Sequence, residues 1–128
     1  MILVVDASAI ASILFGEPEG ATISAHCRGE TLLAPQLIDF ELANAAVKRI
    51  RRDPSREAWV LAMLTGFAVL PIARLAVPSG EVAALASRAG LSAYDASYLW
   101  LAMSRDAELV TLDQKLLRAD RALRGEPS

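Results

Sequence analysis

The chain opens on Ile2-Leu3-Val4-Val5, an unbroken apolar run that stops on a carboxylate, Asp6, and gives way at once to a helix-forming stretch, Ala7 to Phe15. A short, continuous, β-branched run of this kind is the pattern of a strand covered on both faces, as in parallel sheets. The alternation then repeats. Gly16 stops the first helix, a second follows Pro18 to about Cys27, and Thr31 to Ala34 reads as the next strand. Pro35 suits the start of a helix over Gln36 to Arg51. Asp53-Pro54 supplies a cap and a first-position proline for a helix ending near Gly66, and Phe67 to Ile72 reads as a strand. Ser79 is placed to cap a helix running through Ala89 and closed by Gly90. Ser92 to Ser104 is apolar all round, the mark of a helix that is buried or forms an interface. Glu108 to Leu112 is the last strand, and Asp113 opens a basic helix. Strands alternating with helices from end to end imply an α/β sandwich around a mostly parallel sheet.

At 128 residues, 54% of them hydrophobic, the chain is expected to be a single globular domain over residues 1–124, with Gly125 to Ser128 as a flexible tail. The first residues carry no basic segment of the kind that begins a signal peptide, and no apolar run approaches the ~20 residues of a membrane span. Cys27 is the only cysteine, so no intramolecular disulfide can form, and a reducing cytoplasm is the expected setting. A formal charge of −2 hides two basic clusters, Lys48, Arg49, Arg51, Arg52 and Arg56 mid-chain and Lys115, Arg118, Arg121 and Arg124 near the end. Such clusters can attract phosphates, but runs this short read first as solvated helix faces.

Four carboxylates lie in apolar company: Asp6, Glu41 in Phe40-Glu41-Leu42-Ala43, Asp95 in Tyr94-Asp95-Ala96-Ser97, and Asp113 after Val110-Thr111-Leu112. A buried charge is costly unless it is paired or bound to a cation. Asp6 and Asp113 end strands, where open α/β sheets bind ligands, although an Asp there is also the ordinary N-cap. Asp95 falls at the third position after Ser92, a capping-box arrangement. Glu41 has no such explanation, since it sits within a helix with Leu37, Ile38 and Ala45 at helical spacing. Oxygen-only ligands select hard cations, Mg²⁺ or Mn²⁺, over zinc. One His and one Cys, adjacent as His26-Cys27, cannot build a Cys/His zinc site, and His26 reads as a surface residue.

Taken in order, Val5-Asp6-Ala7-Ser8-Ala9, Phe40-Glu41-Leu42-Ala43-Asn44-Ala45, Tyr94-Asp95-Ala96-Ser97-Tyr98-Leu99-Trp100-Leu101-Ala102 and Leu109-Val110-Thr111-Leu112-Asp113 resemble the PIN-domain ribonucleases, and among them the VapC-type toxins of toxin–antitoxin pairs. The resemblance spans the chain. It implies a three-layer α/β/α PIN-like fold in which Asp6, Glu41, Asp95 and Asp113 form a catalytic, metal-binding quartet supported by the hydroxyls of Ser8 and Thr111. It further implies Mg²⁺- or Mn²⁺-dependent cleavage of RNA by a water nucleophile, a homodimer, and a small antitoxin that blocks the site. Many relatives carry another acid one turn after the third; here that stretch is Ser97-Tyr98-Leu99, which supplies none.

Two other readings compete. A haloacid dehalogenase-type phosphatase also begins with a strand ending in Asp, but it needs a second acid two positions on, where this chain has Ser8. A PIN-like module that only docks a partner would be signalled by loss of a quartet member, and all four are present.

Overall fold

The computed structural model describes residues 1–125. The expected tail falls on 125–128: Gly125 closes the last helix in a left-handed conformation (φ 73°), and 126–128 lie outside the described residues. Four strands, β1 (Ile2–Val5), β2 (Thr31–Pro35), β3 (Ile72–Leu75) and β4 (Glu108–Val110), form one sheet in the order β3-β2-β1-β4, and each neighbouring pair is parallel. The helices are α1 (Ala7–Leu14), α2 (Gly20–Cys27), α3 (Ile38–Arg52), α4 (Glu57–Phe67), α5 (Ser79–Ala89), α6 (Ala93–Ser104) and α7 (Gln114–Arg124), with a 3₁₀ turn at Pro54–Arg56.

The order of the strands dictates the layers. Passing from β1 to β2 to β3 moves the chain one way across the sheet, and right-handed crossovers put α1 to α4 on one face. The return from β3 to β4 crosses in the opposite sense and puts α5 and α6 on the other, where α6 packs on β1, β2 and β4 and is flanked by α5 and α7. Strand β1 is therefore sandwiched, and Leu3, Val4 and Val5 are fully buried. The chain leaves β1 toward one face and β4 toward the other. This is the point in a parallel sheet where the loops splay apart and leave a crevice beyond the strands' carboxyl ends.

The apolar helix read at Ser92 to Ser104 is α6, and its side chains are spent on the sheet: Ala96, Tyr98, Leu99, Leu101 and Ala102 are buried. Several boundaries differ from the sequence reading. The third strand is Ile72–Leu75, whereas Phe67 to Ile72 was expected; Phe67 instead ends α4 as a buried helical residue, and a turn with exposed Val69 follows. An apolar run by itself cannot tell a helix end from a strand, and Gly66 does not interrupt the helix. Pro35 ends β2, paired with Leu75, and α3 begins at Ile38. A proline is tolerated there because the ladder stops at that residue. Pro78 takes the cap position expected of Ser79, and β4 stops at Val110, which frees Thr111 and Leu112 for the site.

Candidate active site

Asp6 leaves β1 and caps α1: its Oδ1 accepts from the Ala9 amide (3.0 Å) and from the Ser8 hydroxyl (2.7 Å). Its Oδ2 accepts from the Thr111 hydroxyl across the crevice (2.5 Å). The backbone beyond β4 is drawn into the same network, because the Leu112 amide donates to Ser8 Oγ (2.9 Å) and the Asp113 amide to Thr111 Oγ1 (3.0 Å). Two hydroxyls thus tie the end of β1 to the end of β4. Asp113 caps α7 through Oδ1, which accepts from the Lys115 and Leu116 amides. Both aspartates are helix caps, as their positions suggested, yet neither is used up by capping. Ionised carboxylates offer about four acceptor sites, of which three are engaged at Asp6 and two at Asp113.

Glu41 enters from the first turn of α3, half-buried, and the Tyr98 hydroxyl of α6 donates to its Oε1 at 2.5 Å. This contact spans the sheet, joining residues 57 apart in sequence. Tyr98 is a site residue that the sequence reading counted only as part of an apolar helix. Its signal was available, since a buried tyrosine hydroxyl needs a hydrogen-bond partner and an otherwise apolar helix cannot provide one. Asp95 stands in the first turn of α6, whose cap is Ser92: the Ser92 hydroxyl accepts from the Asp95 amide at 3.1 Å.

The electrostatics join the four acids into one set. Burial is the largest influence at Asp6 and lifts its carboxyl above the usual range; the Asp113 charge adds to this, while bonds from Thr111, Ala9 and Ser8 oppose it. Burial likewise lifts Glu41, with Asp95 and Asp6 repelling it and Tyr98 opposing. Asp95 is raised by burial and by Asp113, against Ser92 and Lys115. Tyr98 is held in its neutral, donating form by burial and by the hydrogen bond to Glu41. Acids that oppose one another's ionisation in this way would be relieved by a cation held among them. The all-oxygen donor set fits a hard divalent ion. Among the described residues, however, no three acidic, His or Cys side chains are drawn together closely enough to constitute a formed metal cluster.

Two further expectations can be placed. His26 is on the surface and hydrogen-bonds Glu108 (2.8 Å). Within the mid-chain basic cluster, Arg49 pairs with Glu17 and lies over the Phe15 ring, and Arg56 lies over Trp59. Lys48, Arg51 and Arg52 are exposed.

The repulsion has a thermodynamic consequence for the metal-free protein. A carboxyl whose folded pKa is raised favours folding when protonated, so stability falls as pH rises from the ordinary carboxylate range, about 4, through the raised folded values. Melting temperature without metal is therefore expected to drop across that window for the contribution of Asp6, Glu41 and Asp95. Glu41→Gln, whose amide oxygen can still accept from Tyr98, should make the drop shallower and leave the neutral-pH protein no less stable. A large loss of stability in this variant would show instead that the Glu41 charge holds the fold together.

Known proteins resemble the chain along most of its length. The PIN domain family profile matches residues 3–122. The ribonuclease VapC3 of Pyrobaculum aerophilum is 35% identical over 121 residues, covering 91% of this chain and 92% of that protein. The VapC ribonuclease Mb0985 of Mycobacterium bovis is 34% identical over 114 residues, covering 89% and 87%. Among solved structures, that of PAE2754 from Pyrobaculum aerophilum superposes with a TM-score of 0.75 at 28% identity, covering 93% of this chain and 84% of that one. The chain belongs to the PIN-domain family and, within it, to the VapC type.

Proposed function

We propose that this protein is an endoribonuclease toxin that uses Mg²⁺ or Mn²⁺ to cleave RNA phosphodiester bonds with water as the nucleophile. The observation that carries the reading is the convergence of Asp6, Glu41, Asp95 and Asp113 from four separate elements at the sheet's switch point, each but Asp113 raised in pKa partly by another of the four. The names of the relatives, ribonucleases of the VapC type, support it.

The four carboxylates would hold the cation, and Ser8 and Thr111 would hold Asp6. A bound divalent cation supplies charge neutralisation at the scissile phosphate and a lowered pKa for a water beside it. The remaining work belongs to the chain. Ser8 and Thr111 clamp both oxygens of Asp6 and fix the rotamer at which it presents its spare lone pair. Tyr98 holds Glu41 by Oε1. No hydrogen bond among the described residues engages Glu41 Oε2, which leaves that atom to orient a water or accept its proton. A covalent route through Ser8 is disfavoured, because its hydroxyl is spent on Asp6 and receives the Leu112 amide.

The family reading also carries a small antitoxin that blocks the site, a homodimer and a cytoplasmic location. Exposed Trp59 and Leu61 on α4, with Val69 and Leu70 just beyond it, provide apolar surface for a protein partner. Among the described residues no helix is long and apolar enough to cross a membrane.

The test is cleavage of total RNA by purified protein with Mg²⁺ or Mn²⁺. Cleavage should vanish with a chelator, return on adding either ion, and be lost in Asp95→Asn. Cleavage that survives both the chelator and this substitution would refute the reading.

A further inference from the structure

Two large aromatic side chains stand in solvent directly before two of the four acids. Phe40 precedes Glu41 and is 80% exposed; Tyr94 precedes Asp95 and is 66% exposed. They come from helices on opposite faces of the sheet, α3 and α6, yet together with Leu37, Glu41 and Asn44 they line one groove of about 470 Å³. That volume lies in the range of small-ligand pockets, and the lining includes Glu41, a carboxylate of the proposed catalytic set. Exposed phenyl and phenol rings carry a hydration cost that the fold does nothing to relieve, and neither ring hydrogen-bonds or stacks with another side chain among the described residues.

A second groove, of about 490 Å³, shares Glu41 and Asn44 with the first and is lined further by Lys48 and Arg52 of α3 and by Ser8 and Leu112. Glu41, Lys48 and Arg52 recur seven and four positions apart on one helix face. At a rise of about 1.5 Å per residue, Lys48 stands roughly 10 Å along the axis from Glu41. Lys48 and Arg52 are exposed and make no ion pair among the described residues, whereas Glu17 on the facing wall is already paired with Arg49, leaving Glu19 as the acid opposite them. Rings on one side of the acids and free cations on the other make a track along α3.

The geometry points to a nucleotide-binding track: an unpaired base of the RNA stacks against Phe40 and Tyr94, and the backbone on the other side of the scissile phosphate runs past Lys48 and Arg52. Stacking on exposed aromatics is how single-stranded RNA is held with little regard to sequence, and a base buried in a duplex offers no face for it. The track rests on the proposed ribonuclease reading of the quartet and adds to that site a base-stacking subsite at Phe40 and Tyr94.

The experiment measures cleavage of a random-sequence, single-stranded RNA pool with Mn²⁺, and fluorescence quenching of an RNA oligonucleotide carrying 2-aminopurine. Phe40→Ala and Tyr94→Ala are each expected to raise KM about tenfold with kcat nearly unchanged, and to lose most of the quenching. Phe40→Tyr and Tyr94→Phe should restore both readouts, which a merely structural defect would not predict. Lys48→Ala with Arg52→Ala should lower the slope of log affinity against log salt by about 1.4, as expected for two single-strand phosphate contacts. If the wild type cleaves while KM and quenching in the alanine variants match it, the stacking subsite is overturned, the ribonuclease reading stands, and the rings are left to a protein partner. If the wild type cleaves no RNA, the ribonuclease reading falls and the track falls with it.

Discussion

Asp6→Asn is expected to reduce cation-dependent RNA cleavage by roughly 10²–10³-fold or more, the scale of losing one preorganised charged contact to a transition state. The fold should not suffer. Asn caps helices as well as Asp does, and its Oδ1 can keep the bonds from Ser8 and the Ala9 amide. The amide nitrogen would donate toward Thr111 Oγ1, whose own hydrogen can turn to Ser8 Oγ, 3.4 Å away. A buried charge raised in pKa by its surroundings is removed at the same time, so the metal-free protein should melt no lower than the wild type. Single-turnover cleavage together with a melting curve separates the two effects. Cleavage within a few-fold of wild type, in a folded variant, would remove Asp6 from the catalytic set.

Gly20→Ala should cause the largest loss of stability of any single methyl added at a glycine in this chain. The peptide that starts α2 presses on the end of α1, and a Cβ built on Gly20 would lie 2.2 Å from the Ser12 carbonyl oxygen and 2.9 Å from its carbon. Both obstacles are backbone, so no rotamer change relieves them. The Ser12 carbonyl is further held by the Glu17 amide (3.0 Å), and Gly20 by the Glu17 carbonyl (2.9 Å). Overpacking of this kind costs about 1–3 kcal/mol, and here the upper end or beyond is expected. That corresponds to a fall in melting temperature of roughly 10 °C. Gly66→Ala is the control: no atom lies within 4 Å of the added methyl, and α4 should gain about 0.5–1 kcal/mol. Equal melting temperatures for the two variants would show that α1 and α2 are not packed as described.

The element order and the parallel sheet were legible in local pattern, because apolar runs of four or five residues alternated with helix-length segments bounded by Gly, Pro and capping residues. The boundary errors share one cause. At Phe67 and at Pro35 the local residues suit either of two elements, and long-range pairing with Leu75 decides between them. Asp6, Glu41, Asp95 and Asp113 could be singled out because a carboxylate in an apolar setting is a costly exception wherever it occurs. Tyr98 could not be tied to Glu41, and neither Phe40 nor Tyr94 could be recognised as exposed. In an amphipathic or all-apolar helix the direction of a side chain depends on what the helix packs against. Gly20 carried no signal either, since its constraint is the carbonyl of Ser12, eight residues back in the chain and brought into contact only by the packing of α2 on α1.

The sequence by itself determined which elements form and which carboxylates stand out in apolar company, because periodicity, capping and the cost of isolated charges act over a few neighbouring residues. Only the tertiary structure decided that four acids from separate elements come near enough to influence one another's ionisation, that Ser8 and Thr111 lock the ends of β1 and β4 together, and that Tyr98 reaches Glu41 across the sheet. Those relations arise where strand order reverses between β1 and β4. Strand order is a property of pairing between distant segments, on which local pattern is silent.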